Sequence, residues 1–419
     1  MVLANADRLS DPRQVVTPLI PEWMEELLYI YDIHDNWKHI LIGLREGFDV
    51  GIRGVPLPAC VFFANHNSSN LDPKFISDYI LAEQKIGHYS KGYHPKDLEH
   101  IIGPFYTAPL GLTPKPHTDT FRLIEDLSYP QNDPLIPSIN SGINSDDFPT
   151  VWGTFDKAAA LVLSLPPGAE VATFDISAAY RLTPIRPDRQ HALCIYWDGM
   201  VYVNRAVMFG LASSAGVFGS IADMLIAIYK RAGFFPIIKW VDDFLVIRLP
   251  GNSWTEEDFM NLTTQAGVPW SPTKLHRFAS NQCYIGFDWD LPFKSVSLPA
   301  EKLSAIWELL TSWEMSEALF SEHCPASLHG KLIHISCIFP LIRPFLRSSS
   351  KFATSFRSKR AKFPAPSSVR ADISWIRYLL YQLPTSVPLS LPNPIDLNWW
   401  GDASTSFGIG VVLGNCWAI

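Results

Sequence analysis

Two adjacent aspartates, Asp242 and Asp243, stand between the apolar runs Pro236–Val241 and Phe244–Ile247. Such a pair, bracketed by β-branched and aromatic residues, reads as the tip of a strand–turn–strand hairpin. Two carboxylates this close, flanked by apolar residues, repel each other and lose hydration unless a cation compensates. A divalent metal ion is the simplest compensation, and a plain acidic turn is the alternative. Asp146-Asp147 makes the contrast, because it lies in a polar Asn- and Ser-rich loop where only an acidic turn is expected.

A third carboxylate, Asp175, ends the apolar strand Val171–Phe174. Three carboxylates on a rigid platform are what two-metal phosphoryl transfer requires. Hard Mg²⁺ ions take oxygen ligands, and two of them can activate an attacking hydroxyl and stabilise the leaving oxygen. Phosphoryl transfer also needs cations for the nonbridging oxygens. Lys115 and Arg122 stand on opposite arms of a turn expected within Gly111–Ser128. A point-charge donor and a forked donor there suit a triphosphate, though a surface hairpin has the same pattern.

These residues need elements to hold them. Apolar periodicity predicts a helix over Trp23–Leu44, another over Trp152–Leu165 closed by Pro166-Pro167-Gly168, and a long one over Ala215–Ala232 ended by Gly233. Val171–Ile176 and Val201–Val207 read as strands. Ser253-Trp-Thr-Glu256 reads as a capping box opening a helix that stops at Gly267. Past Leu291 the pattern turns helical, over Ala300–Ser316 and Cys324–Ile338. Leu341–Arg370 holds eight basic residues and no acidic one, either a solvated face or a track for phosphates. Four prolines between Pro384 and Pro394 read as a stiff linker, followed by a strand, a turn and a second strand.

Composition narrows the class. The 419 residues are 47% hydrophobic and 13% aromatic, which suits a core-rich globular chain of several subdomains. No stretch approaches a membrane span, and Met1–Arg8 is unlike a secretory signal, so an intracellular protein of cytoplasm or nucleus is expected. The six cysteines are scattered without any Cys-x-x-Cys, which suggests neither a disulfide framework nor a zinc ribbon. His323, Cys324, His329 and His334 come nearest to a zinc pattern, but the same segment reads as an amphipathic helix. The formal charge of −7 argues against nonspecific coating of nucleic acid, while leaving room for a local basic track.

Read in order, these segments resemble the sequence blocks of reverse transcriptases. Gly111–Ser128 is similar to the fingers blocks, and Phe174-Asp175-Ile-Ser-Ala-Ala-Tyr180 to the first catalytic block. Phe209–Phe218 resembles the block under the templating base, Trp240-Val-Asp242-Asp243 the aromatic-x-Asp-Asp box, and Cys283-Tyr-Ile-Gly286-Phe the primer grip. The flanks Tyr29–Gly51, Leu328–Ser336 and Pro340–Leu346 resemble DIRS-like, tyrosine-recombinase retrotransposons, with fungal members as the nearest likeness.

The resemblance implies an α+β right hand, with fingers and an antiparallel palm sheet packed on helices over 101–290. A helical thumb or connection would follow over 291–383. Residues 1–100 would be an N-terminal helical and irregular extension, 384–395 a linker, and 396–419 the truncated start of a ribonuclease H-like fold. It implies RNA-directed DNA polymerase activity with Asp175, Asp242 and Asp243 holding two Mg²⁺ ions, or Mn²⁺. Lys115 and Arg122 would grip the incoming dNTP's phosphates, Tyr180 would act as steric gate beneath its sugar, and Phe209 and Gly210 would line its pocket. Lys274 would give a proton to pyrophosphate. Trp240, Tyr284 and Gly286 would meet the primer, with Arg343 and Arg347 among the groups tracking an RNA or DNA template–primer. Other retroelement proteins are further expected partners. Trp240 replaces the usual tyrosine, and Ser214-Ala215 the usual Ala-Pro pair. Asp402 would be the first carboxylate of a ribonuclease H site, but the later ones are missing, so that activity is not expected. The competing readings are a catalytically idle relic that at most binds nucleic acid, and an RNA-dependent RNA polymerase, against which Tyr180 argues.

Overall fold

The computed structural model describes residues 10–418 apart from 54–56, 58, 116–117, 132, 134, 316–317, 359–360, 391–397 and 405–407. They form two compact units, one of Met1–Leu161 with Leu165–Ile285 and one of Val162–Ser164 with Gly286–Ile419.

The first unit opens with α1 (Pro21–Ile30) and α2 (His34–Glu46), where periodicity suggested one helix. The break falls at Asp32, whose φ of 54° is left-handed, a conformation that Asp tolerates better than most residues. Next come α3 (Pro73–Lys85), α4 (Pro95–Ile102), β1 (Thr107–Ala108), β2 (Leu110–Pro114), β3 (Phe121–Glu125), α5 (Phe155–Ser164), β4 (Glu170–Asp175), β5 (Cys194–Trp197) and β6 (Met200–Val203). Then follow α6 (Ser214–Arg231), β7 (Ile237–Trp240), β8 (Asp243–Arg248), α7 (Glu256–Thr264), β9 (His276–Ala279) and β10 (Asn281–Tyr284). The capping box of α7 is made by Thr255 and Asp258, two residues beyond the pair expected from the sequence.

The central sheet has the order β7-β8-β4-β9 and is antiparallel throughout. Phe244, Leu245, Val246 and Ile247 of β8 are all buried. A strand covered on both faces reads as an unbroken apolar run rather than an alternating one. Ala172, Phe174, Phe244 and Val246 share one core with Phe218 and Met224 of α6 and Phe259 of α7. Met24 and Leu28 of α1, and Ile40, Leu41 and Leu44 of α2, lie in that same core. The first helices are therefore part of the sheet's packing and not a separate extension. Behind the carboxylate strands the aromatic rings interlock, Phe174 on Phe259 at 4.3 Å and Phe244 on Trp270 at 5.3 Å, giving a base that resists tilting.

The second unit comprises β11 (Phe287–Asp290), β12 (Ser295–Ser297), α8 (Ala300–Glu314), β13 (Leu319–Ser321), α9 (His323–Ile335), α10 (Arg347–Ala353), β14 (Lys362–Pro364), α11 (Ser367–Gln382), β15 (Ser386–Pro388), β16 (Trp399–Ser404), β17 (Gly408–Leu413) and β18 (Cys416–Ala418). The expected linker is corrected in part, since Ser386–Pro388 pairs with β12 as an edge strand. An edge is where proline's missing N–H does least harm. Residues 391–395 of that linker lie outside the described residues. β16, β17 and β18 form an antiparallel sheet of their own, one strand more than expected. The α+β class expected from the sequence is the one observed.

Candidate active site

Asp175 is the last residue of β4 and Asp243 the first of β8, and the two are direct cross-strand partners. Side chains in such register stand about 5 Å apart at Cβ. Asp242 lies in the turn between β7 and β8, where Trp240 pairs with Asp243. Only the first turn residue, Val241, has positive φ, at 54°. That is the II′ pattern, which normally takes glycine, so a β-branched residue there holds the acidic tip under strain. Both neighbouring loops are tied to the carboxylates' backbone. The Ile176 amide donates to the Asp242 carbonyl at 3.2 Å, and the Ser271 amide to the Asp175 carbonyl at 2.8 Å.

The electrostatics match the crowding. Desolvation and then the charges of Asp242 and Asp175 push the Asp243 carboxyl up to about 6, although its tip stays open to solvent. Asp242 is raised as well, chiefly by desolvation and further by Asp175. Asp175 is buried at 4% exposure, and its Oδ1 is a buried oxygen with no hydrogen-bond partner. Its Oδ2 accepts from Lys274 Nζ at 2.8 Å. That bond raises the lysine's pKa and keeps it charged. Among the described residues no three His, Cys, Asp or Glu side chains converge closely enough to hold an ion as placed. The orphan oxygen and the crowded carboxyls nevertheless form an oxygen donor set that suits divalent cations, with the Lys274 ammonium as the only cation beside them among the described residues.

Lys115 and Arg122 stand on opposite arms of one hairpin. Thr113 pairs with Arg122 across β2 and β3, and the Lys115 amide donates to the Thr120 carbonyl at 2.9 Å. Both side chains are exposed and in no ion pair among the described residues. Tyr180 sits in a 3₁₀ turn, Ala179–Leu182, with its ring edge-on to Phe209 at 4.7 Å. Burial first, and then the charge of Asp242, raises its phenol. Phe209 is 70% exposed. Gly210 has φ of 95°, and a Cβ there would come within 3.0 Å of the Glu125 carbonyl. Asn140 brackets this loop, donating to the Gly210 carbonyl at 2.7 Å and accepting from the Ala212 amide at 2.9 Å. No local pattern in the sequence marked Asn140.

Trp240 is half-exposed and lies 5.6 Å from Trp152. Tyr284 departs from the expected role. It is buried at 2% exposure, and its hydroxyl donates to the Gly153 carbonyl at 3.2 Å, so it braces the sheet from within rather than facing a primer. In the turn that follows, Ile285 and Gly286 both have positive φ, the I′ hairpin signature. A Cβ at Gly286 would lie 2.3 Å from the Lys302 ammonium. In the second unit Arg343 and Arg347 are exposed. His329 meets Ser349 and His334 stacks on Phe287, so the histidines of α9 face different neighbours. Asp402 is exposed on β16, opposite Gly410, and accepts from the Ala403 amide at 2.8 Å. No helix among the described residues is long and apolar enough to cross a membrane.

No protein-family model matches the chain, and no curated protein matches it in sequence. Solved structures do match. The foamy viral protease-reverse transcriptase in complex with RNA/DNA hybrid superposes with a TM-score of 0.51 at 14% identity, covering 87% of this chain and 47% of that one. The same viral protein in its dRH form with double-stranded DNA gives 0.53 at 15% identity, covering 88% of this chain and 62% of the other. A third structure, with dsDNA, also gives 0.53 at 15%, covering 97% and 82%. The chain thus spans about half the length of the protein in the hybrid complex. With the carboxylate hairpin, the β2–β3 hairpin and the sheet order in place, this chain has the reverse-transcriptase fold.

Proposed function

We propose that this chain is a retrotransposon-derived RNA-directed DNA polymerase, of the DIRS-like kind and nearest to fungal elements. The observation that carries the reading is Asp175 set opposite Asp243, with one buried oxygen unpartnered and the other on a lysine. Asp175, Asp242 and Asp243 would hold two Mg²⁺ ions, or Mn²⁺, which supply Lewis acidity to a primer 3′-hydroxyl and to the leaving oxygen of a dNTP. Lys115 and Arg122, exposed on their hairpin, bind the β- and γ-phosphates. Tyr180 and Phe209 bound the sugar's place, and Gly210 lets the pocket loop approach β3. Lys274, with its side chain 62% exposed, neutralises Asp175 and, once released, is the candidate proton donor to pyrophosphate. Trp240 and Gly286 are each assigned to the primer, with Tyr284 as a buried brace of the first unit. Arg343 and Arg347 are assigned to phosphates of an RNA or DNA template–primer. Asp402 is assigned as the first carboxylate of a ribonuclease H-like site.

A second reading, an inactive relic that at most binds nucleic acid, is favoured by one observation: the carboxylates do not converge as placed, and Lys274 occupies Asp175. Incorporation of dTMP on poly(rA)/oligo(dT) with Mg²⁺ separates the two. The polymerase reading expects synthesis by the wild-type chain and none by Asp242→Asn. Equal incorporation by both, or none by folded wild-type protein, sinks it.

A further inference from the structure

Behind Tyr180 lies a buried polar network that the catalytic reading leaves unused. Arg181, next in sequence, is 6% exposed, and its guanidinium makes four hydrogen bonds. Nε and Nη2 donate to Glu83 Oε2 at 2.9 and 2.6 Å. Nη1 donates to Asn204 Oδ1 at 2.8 Å and to the Ala206 carbonyl at 3.0 Å. The Asn204 amide then donates to Glu125 Oε2 at 3.1 Å, and the Tyr89 hydroxyl to Glu125 Oε1 at 2.8 Å. Asn204 and Tyr89 are buried at 0% and 1% exposure.

Each end of this chain of bonds lies against the nucleotide pocket. Glu125 ends β3, the strand that carries Arg122, and its carbonyl sets the limit on Gly210. Arg181 sits inside the 3₁₀ turn that presents Tyr180, which Ala178 precedes with φ of 52° and Thr183 follows, its amide donating to the Tyr180 carbonyl at 3.0 Å. A non-glycine residue at that φ needs outside support, and a forked guanidinium fixed at four points supplies it. Lysine cannot reproduce that fork.

We propose that Arg181 is a positioning residue for sugar discrimination. Through Asn204 it locks the Tyr180 turn to Glu125, so that the gate ring, the Phe209–Gly210 loop and the triphosphate hairpin keep one fixed spacing. A gate excludes a 2′-hydroxyl only if its ring cannot retreat, and the network removes that retreat. The inference rests on the polymerase reading and assigns that site's specificity to a residue outside it.

The test compares kcat/KM for dTTP and UTP on poly(rA)/oligo(dT) with the full chain and Mg²⁺. Arg181→Lys is expected to lower the dTTP-to-UTP ratio by about tenfold or more, through improved UTP use. In a Tyr180→Ala background, Arg181→Lys is expected to change the ratio no further, because it acts through the gate. A merely structural role would lower both substrates together and leave the ratio alone. If Arg181→Lys does not fold, Glu125→Gln, which keeps the shape and removes the charge, is read the same way. An unchanged ratio in the folded variant, while Tyr180→Ala lowers it, overturns this inference and spares the polymerase reading. An additive effect in the Tyr180→Ala background overturns it too. No dTMP incorporation by folded wild-type protein overturns both.

Discussion

Asp175 and Asp243 face each other across β4 and β8, and Lys274 holds the outer oxygen of Asp175 at 2.8 Å. This places one resident cation among three carboxylates, two of them raised by desolvation and then by the charges of their neighbours. Asp243→Asn should therefore raise the thermal midpoint at neutral pH without added metal, because it removes one of the crowded charges. The same substitution should reduce nucleotide incorporation by at least about 10²-fold. A lowered midpoint would mean that the carboxylate does structural work the crowding argument omits.

The Val241 turn stores strain at the tip of the same hairpin. Valine at φ of 54° costs about 1–3 kcal/mol relative to a residue at ease there. Val241→Gly removes that cost along with the modest packing of a half-buried side chain. Its stability by denaturant titration should stay within about 1 kcal/mol of wild type. Val246→Gly in the buried middle of β8 should lose several times as much. Equal losses at the two positions would show that the turn is not strained.

What the sequence made legible was local. The carboxylate hairpin, the Lys115–Arg122 hairpin and α6 each follow from a periodic or turn pattern within a short window. The polar pairs that fix the site were not legible, because they join distant segments. Arg181 reaches Glu83 across 98 positions, Asn140 reaches Gly210 across 70, and Tyr284 reaches Gly153 across 131. A tyrosine in the primer-grip block has the same letter whether its ring faces a primer or a carbonyl inside the sheet. The helix break at Asp32 was equally hidden, since apolar spacing continues through it and only the backbone φ records the turn.

Lys239 is a charge inside the sheet, one residue before the aromatic-x-Asp-Asp box. Its ammonium is fully enclosed and meets Asp223 at 3.0 Å, Thr150 Oγ1 at 2.9 Å and the Val151 carbonyl at 3.0 Å. Lys239→Met leaves Asp223, whose side chain is 17% exposed, without its cation and with only the Thr150 hydroxyl and the Val151 amide as donors, and should cost about 3 kcal/mol by denaturant unfolding. Adding Asp223→Asn should recover a large part of that loss, since the penalty lies in the unpaired charge and not in the missing pair. A double variant as unstable as the sum of the singles would show that the two groups are not coupled.

His191 supplies the pH dependence. It is buried at 8% exposure, and neither ring nitrogen has a hydrogen-bond partner. Burial, and then the positive charge of Arg13, lowers its pKa below the ordinary 6.5. The folded state thus prefers the neutral ring, while the unfolded chain takes up a proton at 6.5. The stability this contributes is complete above that value and is lost as pH falls from it toward the folded-state pKa. Protonation of His191 should therefore pull the wild-type midpoint down on acidification below pH 6.5, against the opposite contribution of Asp243, whose raised carboxyl takes up its proton near 6, so that the His191 share is read from the difference between two proteins. His191→Leu removes the titrating group and keeps an apolar side chain in the pocket. Its midpoint should fall less steeply over that range, and the difference between the two curves should flatten above it. Parallel curves for the two proteins would assign the acid sensitivity to other groups.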